Sequence, residues 1–409
     1  MTNYIPRALE SVVKKNSEWF PVVLLTGQRQ TGKTTMLKRL IEEGTPRNYV
    51  SLDDWTERAL AQKDPELFLQ VHKPPILIDE VQYAPGLFTY IKIYVDSHPD
   101  ENGMFWLTGS QKFELMRGVQ ESLAGRVSVL NLTALSGAEI DRENRGPFVV
   151  AIKAAMERMH ATKPADVEDV FARMVKGGMP SVIVKNIEPD VYYSSYLSTY
   201  IEKDIKAFSE SVNPMKFLAF LRALAARCSQ LLNVASIARD AEINQKQASD
   251  WLDMLRALGI VFLLHPYSNN LLKRLIKAPK IYFYDTGFVS YLTKWSSAAA
   301  LQAGAMSGAA LENYVVSEIA KSYLSAGKTP PMYYYRDKEG NEINLILEHD
   351  GILNPIEIKK TANPSADLIR AFTVLDKGSL KRGSGAIICM KPQVLPLDRE
   401  NFTVPVWAI

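Results

Sequence analysis

Eight residues, Gly27-Gln28-Arg29-Gln30-Thr31-Gly32-Lys33-Thr34, satisfy the spacing G-x4-G-K-[ST]. They follow the apolar run PVVLLT (21–26) and open the helical pattern TTMLKRL (34–40). In that setting the octapeptide is a phosphate cradle. Glycines let the loop curl with backbone N–H groups facing inward, and the start of the next helix adds partial positive charge. Lys33 is expected to reach the β- and γ-phosphates of ATP, and the Thr34 hydroxyl to take one position on Mg2+. Thr35 completes the expected nucleotide-contacting set. The bland alternative, a chance Gly-Lys-Thr turn, leaves the flanking pattern unexplained.

Two further runs end in residues that such a site needs. Ile76-Leu77-Ile78-Asp79-Glu80 is an apolar strand closed by two acids. Asp79 is expected to hold Mg2+ through water, and Glu80 to polarise the attacking water as general base. The run at 104–108 ends in Gly109-Ser110. Ser110 suits water orientation or sensing of the terminal phosphate; its plain reading is a turn serine. Arg126, in SLAGRV (122–127), suits a finger that crosses a subunit boundary to a neighbour's γ-phosphate. A surface ion pair is the alternative role, and Arg117 is the nearest competitor.

The elements that must position these residues are legible. Strand-like runs at 22–26, 49–52, 76–79, 104–108 and 127–132 alternate with helical patterns at 33–43, 57–71, 86–97 and 112–123. Such alternation predicts an α/β domain over 1–140 with a doubly wound parallel sheet. Residues 141–210 read as a helical lid broken by KGGMP (176–180). The stretch at 296–308, rich in Ala, Ser and Gly, is the best linker candidate, with a last domain over 305–409.

Within 211–294 the order is helix, turn, helix, strand. VASIARDA (234–241) is followed by a turn with Asn244 as its N-cap, and QKQASDWLDMLRAL (245–258) is amphipathic and closed by Gly259. This is the pattern of a winged helix, whose second helix would present Gln245, Lys246, Gln247 and Ser249 to a DNA major groove. Lys273, Arg274 and Lys277 would bind phosphate near the wing. Residues 201–290 hold twelve Lys and Arg against eight Asp and Glu, so positive charge gathers here. Asp250 and Asp253 on the same helix argue instead for a protein partner.

The last domain resembles the PD-(D/E)xK nuclease core in its order of elements. Glu312 lies on its helix, and Glu357 and Lys359 satisfy E-x-K on one strand face. In active members an acid on the preceding strand shares Mg2+ with that glutamate, but here the position holds Asn344, a neutral ligand. The expectation is a degenerate domain that binds without cutting.

The whole chain bounds these readings. It has 409 residues with 48 Lys and Arg against 45 Asp and Glu, a net charge of +3, so any charged site must be local. Two cysteines exclude a disulfide framework and a CxxC zinc site. No run approaches the ~20 apolar residues of a membrane span. The expected location is cytoplasmic, with no membrane partner.

GQRQTGKTT (27–35), LIDEVQ (77–82), LTGSQ (107–111), SLAGR (122–126), GGMP (177–180), YIEKDI (200–205), KIYFYDTG (280–287), LENYV (311–315) and IEIKK (356–360) together resemble the prokaryotic AAA+-like ATPases. Their N-terminal domain is catalogued as AAA_14 and their C-terminal one as DUF4143. The resemblance spans nearly the whole length. It implies strand order 5-1-4-3-2, ATP and Mg2+ as ligands, and a ring-like homo-oligomer, read here as a hexamer. Coupling of ATP turnover to DNA, branched DNA included, is the expected use; a nucleotide-gated protein switch and an active nuclease are the rivals.

Overall fold

The computed structural model describes residues 4–109, 119, 121–200, 213–268 and 278–409. The chain divides into two compact units. The first comprises Met1–Gly146 with Met254–Ile260 and Leu324–Lys328; the second comprises the remainder.

In the first unit the apolar runs become β1 (Val22–Thr26), β2 (Asn48–Ser51), β3 (Ile76–Asp79), β4 (Phe105–Thr108) and β5 (Val127–Asn131). All neighbours pair in parallel, in the order β2-β3-β4-β1-β5, which is the order the resemblance implies. Strand β1 is buried throughout, as are β3 and β4, because helices cover both faces. The period-two alternation sorts their side chains into two cores. Val22, Leu24, Ile76, Ile78, Phe105 and Leu107 pack with α4 (Pro65–Val71) and α5 (Leu87–Ser97). Val23, Leu25, Leu77 and Trp106 pack with α1 (Leu9–Trp19) and α2 (Lys33–Glu42).

Two local features differ from the sequence expectation. The pattern at 57–71 is two helices, α3 (Trp55–Lys63) and α4, since Pro65 cannot continue a helix but suits its first turn. The Asp64 side chain accepts from Leu67 N at 2.9 Å and starts the second one. Most of the expected helix at 112–123 lies outside the described residues.

The second unit begins with four helices, Ile152–Ala161, Val167–Lys176, Pro180–Val184 and Pro189–Tyr200. The GGMP break is a built corner. Gly177 has φ +71°, and a β-carbon there would lie 2.3 Å from the Tyr193 hydroxyl. The buried Asp285 carboxylate fastens this corner, accepting from Gly178 N at 2.7 Å, Tyr193 Oη at 2.5 Å and Phe288 N at 2.9 Å.

Helices Pro214–Ala225, Val234–Asp240 and Gln245–Ala257 follow. Asn244 caps the third, accepting from Gln247 N at 2.8 Å, and Trp251 packs edge-on against Phe217 and Phe220. Then come β6 (Val261–Leu264) and β7 (Lys280–Phe283), an antiparallel pair. Leu231 forms an antiparallel bridge to Lys280 of β7, flanked by Ser229 N donating to Ile281 O and Leu232 N to Pro279 O.

The expected linker at 296–308 is a correction. It contains the helix Ala298–Ala303, capped by Ser297, with Leu301 fully buried. Alanine reads as flexible only by composition; it is the best helix former, and one leucine is enough to anchor the turn. The C-terminal sheet has β8 (Met332–Arg336), β9 (Glu342–His349), β10 (Ile352–Ile358), β11 (Lys381–Arg382), β12 (Gly385–Cys389) and β13 (Asn401–Pro405). Its order is β13-β12-β10-β9-β8, with β11 beside β10. The Ser307–Leu324 helix is buried along most of its length against this sheet's apolar face. After β10 the chain forms a 3-10 run, Ala366–Lys377.

Candidate active site

The loop joining β1 to α2 is shaped by contacts of its own backbone. Gly27 has φ +140°, and a β-carbon there would sit 2.1 Å from the Leu132 carbonyl, so only glycine fits where β1 and β5 end. Lys33 is 7% exposed, and its Nζ donates to Gly27 O at 3.0 Å and Gln28 O at 2.9 Å. The ammonium is thus held over the loop. Thr31, also buried, turns its hydroxyl onto Gln28 O at 2.8 Å.

Arg7 braces the same loop from outside. Its buried guanidinium donates to Thr31 O at 2.9 Å, to Thr133 O beyond β5 at 2.8 Å, and to Glu139 Oε1 at 3.0 Å. Burial works to raise the Glu139 carboxyl. The Arg7 charge and hydrogen bond, with N–H groups of Ser136 and Ala8, outweigh it and leave the carboxyl below its ordinary value.

Thr34 Oγ1 donates to Asp79 Oδ2 at 2.9 Å, which joins the helix start to the end of β3. Tyr49 Oη reaches the same oxygen at 3.5 Å. Burial raises the Asp79 carboxyl, and the charge of Glu80 adds to that; the Thr34 hydrogen bond and Lys33 work against them. A buried acid pressed upward beside a hydroxyl is a donor set that a divalent cation would suit. Glu80 follows with φ +54°, a left-handed value uncommon outside glycine and a mark of strain kept at working sites. Its carboxylate accepts a short hydrogen bond from Gln82 Nε2.

Two residues that the sequence reading gave no role belong to this set. Gln82 is 4% exposed, yet its Oε1 meets no partner among the described residues. Thr108 ends β4, in register with Leu25 of β1, and its buried Oγ1 also lacks a partner among them. Buried polar atoms left open are rare, and two beside a phosphate cradle mark where a ligand group or water is received. Ser110, the expected residue on this strand's end, lies outside the described residues, as does Arg117. Arg126 is on the surface, paired with Asp96 Oδ1 at 2.5 Å and donating to Ala124 O at 3.1 Å. Thr35 and Gln30 are exposed, Arg29 half-buried and Gln28 buried.

The other expected sites lie in the second unit. Gln245 and Lys246 are exposed at the start of their helix, with Gln247 and Ser249 half-buried; Lys273, Arg274 and Lys277 lie outside the described residues. In the C-terminal sheet, Lys359 Nζ pairs with Glu357 Oε1 at 2.9 Å, so E-x-K does share one face. Asn344 donates to Glu312 Oε2 at 3.0 Å and accepts from Ile358 N at 2.9 Å.

Fold and cradle together define an AAA-type P-loop ATPase, and comparison with known proteins agrees. A family model described as AAA domain matches residues 20–141. Two domains of unknown function, DUF8612 and DUF4143, match 167–299 and 307–409. Uncharacterized proteins of Mycobacterium bovis and Mycobacterium tuberculosis are each 30% identical over 387 residues, covering 94% of this chain and 80% of theirs. The chain belongs to this family of AAA-like ATPases with a C-terminal DUF4143 domain. Among solved structures, the Walker-type ATPase of Pyrococcus abyssi is similar at 16% identity and a TM-score of 0.46, over 71% of this chain and 96% of that one. RuvB of Thermotoga maritima is similar at 14% identity and a TM-score of 0.29, over 62% and 85%. No helix among the described residues is long and apolar enough to cross a membrane.

Proposed function

We propose that the chain hydrolyses ATP with Mg2+ and spends the turnover on DNA. The observation that carries the first part is the Thr34–Asp79 hydrogen bond beside the buried Lys33 ammonium. When bound, Mg2+ would neutralise charge between the β- and γ-phosphates, and Thr34 and Asp79 are the residues to hold it. Lys33 binds the phosphates, Glu80 takes the proton of the attacking water, and Gln82 holds the Glu80 carboxylate in aim. Arg126 acts on a neighbouring copy's nucleotide in a ring, read as a hexamer.

The DNA reading rests on the three-helix module with its antiparallel pair, which we take as a winged helix. The exposed Gln245 and Lys246 at the start of its third helix support it. Asp250 and Asp253, both exposed on that helix, favour the second reading, a nucleotide-gated contact with a protein. One experiment separates them: phosphate release by the wild type and by Lys33→Ala, with and without linear or branched DNA, across a salt series. The proposal expects release lost in Lys33→Ala and raised by DNA, with stimulation weakening as salt rises. Stimulation absent at every salt concentration sinks the DNA half alone; full release by Lys33→Ala sinks the whole.

A further inference from the structure

The nuclease-like sheet carries a cation of its own. Lys280, the first residue of β7, is 3% exposed. Its Nζ lies 2.9 Å from Glu312 Oε1 and 2.7 Å from Glu342 Oε1. Glu312 Oε1 also accepts from Tyr282 Oη at 2.7 Å, while its Oε2 takes the Asn344 amide. Every polar atom at the centre of this cluster is therefore used by another residue of the chain.

The resemblance leads one to expect a divalent cation here, and the residues present do not fit one. Asn344 uses its amide in both directions, as donor to Glu312 and acceptor from Ile358, and its neutral oxygen brings no charge to a metal. Aspartate at 344 would set a second carboxylate against Glu312 instead of a donor. Glu357 is paired with Lys359 at 2.9 Å, so its charge already has a partner on its own strand. Among the described residues no three of His, Cys, Asp or Glu are gathered so as to hold a metal.

We infer that the Lys280 ammonium is the resident cation of this cluster, holding Glu312 and Glu342 in place of a metal. The consequence reaches beyond lost cutting. Lys280 comes from the antiparallel pair of the preceding module, Glu312 from the Ser307–Leu324 helix and Glu342 from β9. The neighbouring Asn313 makes the same joint in neutral form, bonding Phe283 N at 2.8 Å and Phe283 O at 3.1 Å. The cluster is thus a charged rivet that ties β7 to the C-terminal domain. This is independent of the ATPase reading, because it involves no residue of the phosphate cradle.

The test is thermal unfolding and calorimetric titration of the full chain with Mn2+, in the absence of nucleotide. Wild type is expected to melt at the same temperature in EDTA and in millimolar Mn2+. Lys280→Met keeps the length and removes the charge, leaving two carboxylates facing each other without a cation. It should lower the melting temperature by about 5–15 °C. Adding Glu312→Gln to that variant should recover most of the loss, since one carboxylate of the facing pair is then neutral. The inference is overturned if Mn2+ binds the wild type and Glu312→Gln abolishes that binding. It is equally overturned if Lys280→Met melts within about 2 °C of wild type, or if the second substitution recovers nothing. Should Lys280→Met not fold, the wild-type titration still decides.

Discussion

Gln82 and Glu80 lie two residues apart, and the contact between them separates binding from chemistry. In the proposed reaction Lys33, Thr34 and Asp79 act on phosphate and metal, so their loss is expected to weaken binding and turnover together. The Gln82 side chain donates to Glu80, the carboxylate that takes the proton in the proposed reaction. Gln82→Ala is therefore expected to lower kcat about tenfold or more while leaving the affinity for a non-hydrolysable ATP analogue within about twofold. Parallel losses in both would assign Gln82 to the fold of the 3-10 turn Val81–Tyr83 instead. The cradle and the acid pair were legible because each is contiguous and ends an apolar run. Gln82 was quoted within LIDEVQ but given no task; its signal was a polar residue in an apolar setting, and burial is what made it informative. On β4 the sequence reading assigned the role to Ser110, whereas Thr108 is the described residue whose hydroxyl is buried and open.

Elements hold the cradle through residues far apart in sequence, and Arg7 is the clearest case. Its partners Thr31, Thr133 and Glu139 lie 24, 126 and 132 residues away, a juxtaposition that no local pattern announces. For the same reason the sequence reading gave the start of the chain no part in the site, while α1 packs against the sheet. Strands β1, β3 and β4, by contrast, were read within one residue, since full burial on both faces leaves continuous apolar runs. Arg7→Ala would leave Glu139 buried without its cation, at a cost of about 3–5 kcal/mol near neutral pH. The sign with pH follows from Glu139. In the wild type its native carboxyl lies below the unfolded value, so its contribution is full above the ordinary carboxylate range and is lost as pH falls. Without Arg7 the burial penalty is opposed only by the N–H groups of Ser136 and Ala8, the native value moves up, and the variant's deficit shrinks as acid protonates Glu139. Urea unfolding at pH 7 and pH 4 is expected to show a smaller wild-type–variant gap at the lower pH. An equal gap at both would mean that Arg7 acts by packing rather than charge.

At the scale of the assembly, Arg126 is the residue through which one chain would act on another. Within a single chain it is a third exposed and held by Asp96, an arrangement that by itself resembles an ordinary surface pair. Exposed pairs of that kind are worth roughly 0–1 kcal/mol, so the arginine leaves Asp96 at little cost if a neighbour's triphosphate offers a stronger partner. An arginine acting in trans is worth about 10³–10⁵ in turnover where it operates. Complementation decides whether it does so here. Arg126→Ala keeps its own cradle and lacks the finger; Lys33→Ala keeps the finger and lacks the cradle. Each alone should release little phosphate. In a mixed ring, a cradle from the first faces a finger from the second, and turnover should return at a rate that peaks near equal proportions of the two. Mixtures that are no more active than their parts would place Arg126 outside the reaction, or within its own subunit, and would remove the main chemical argument for a ring.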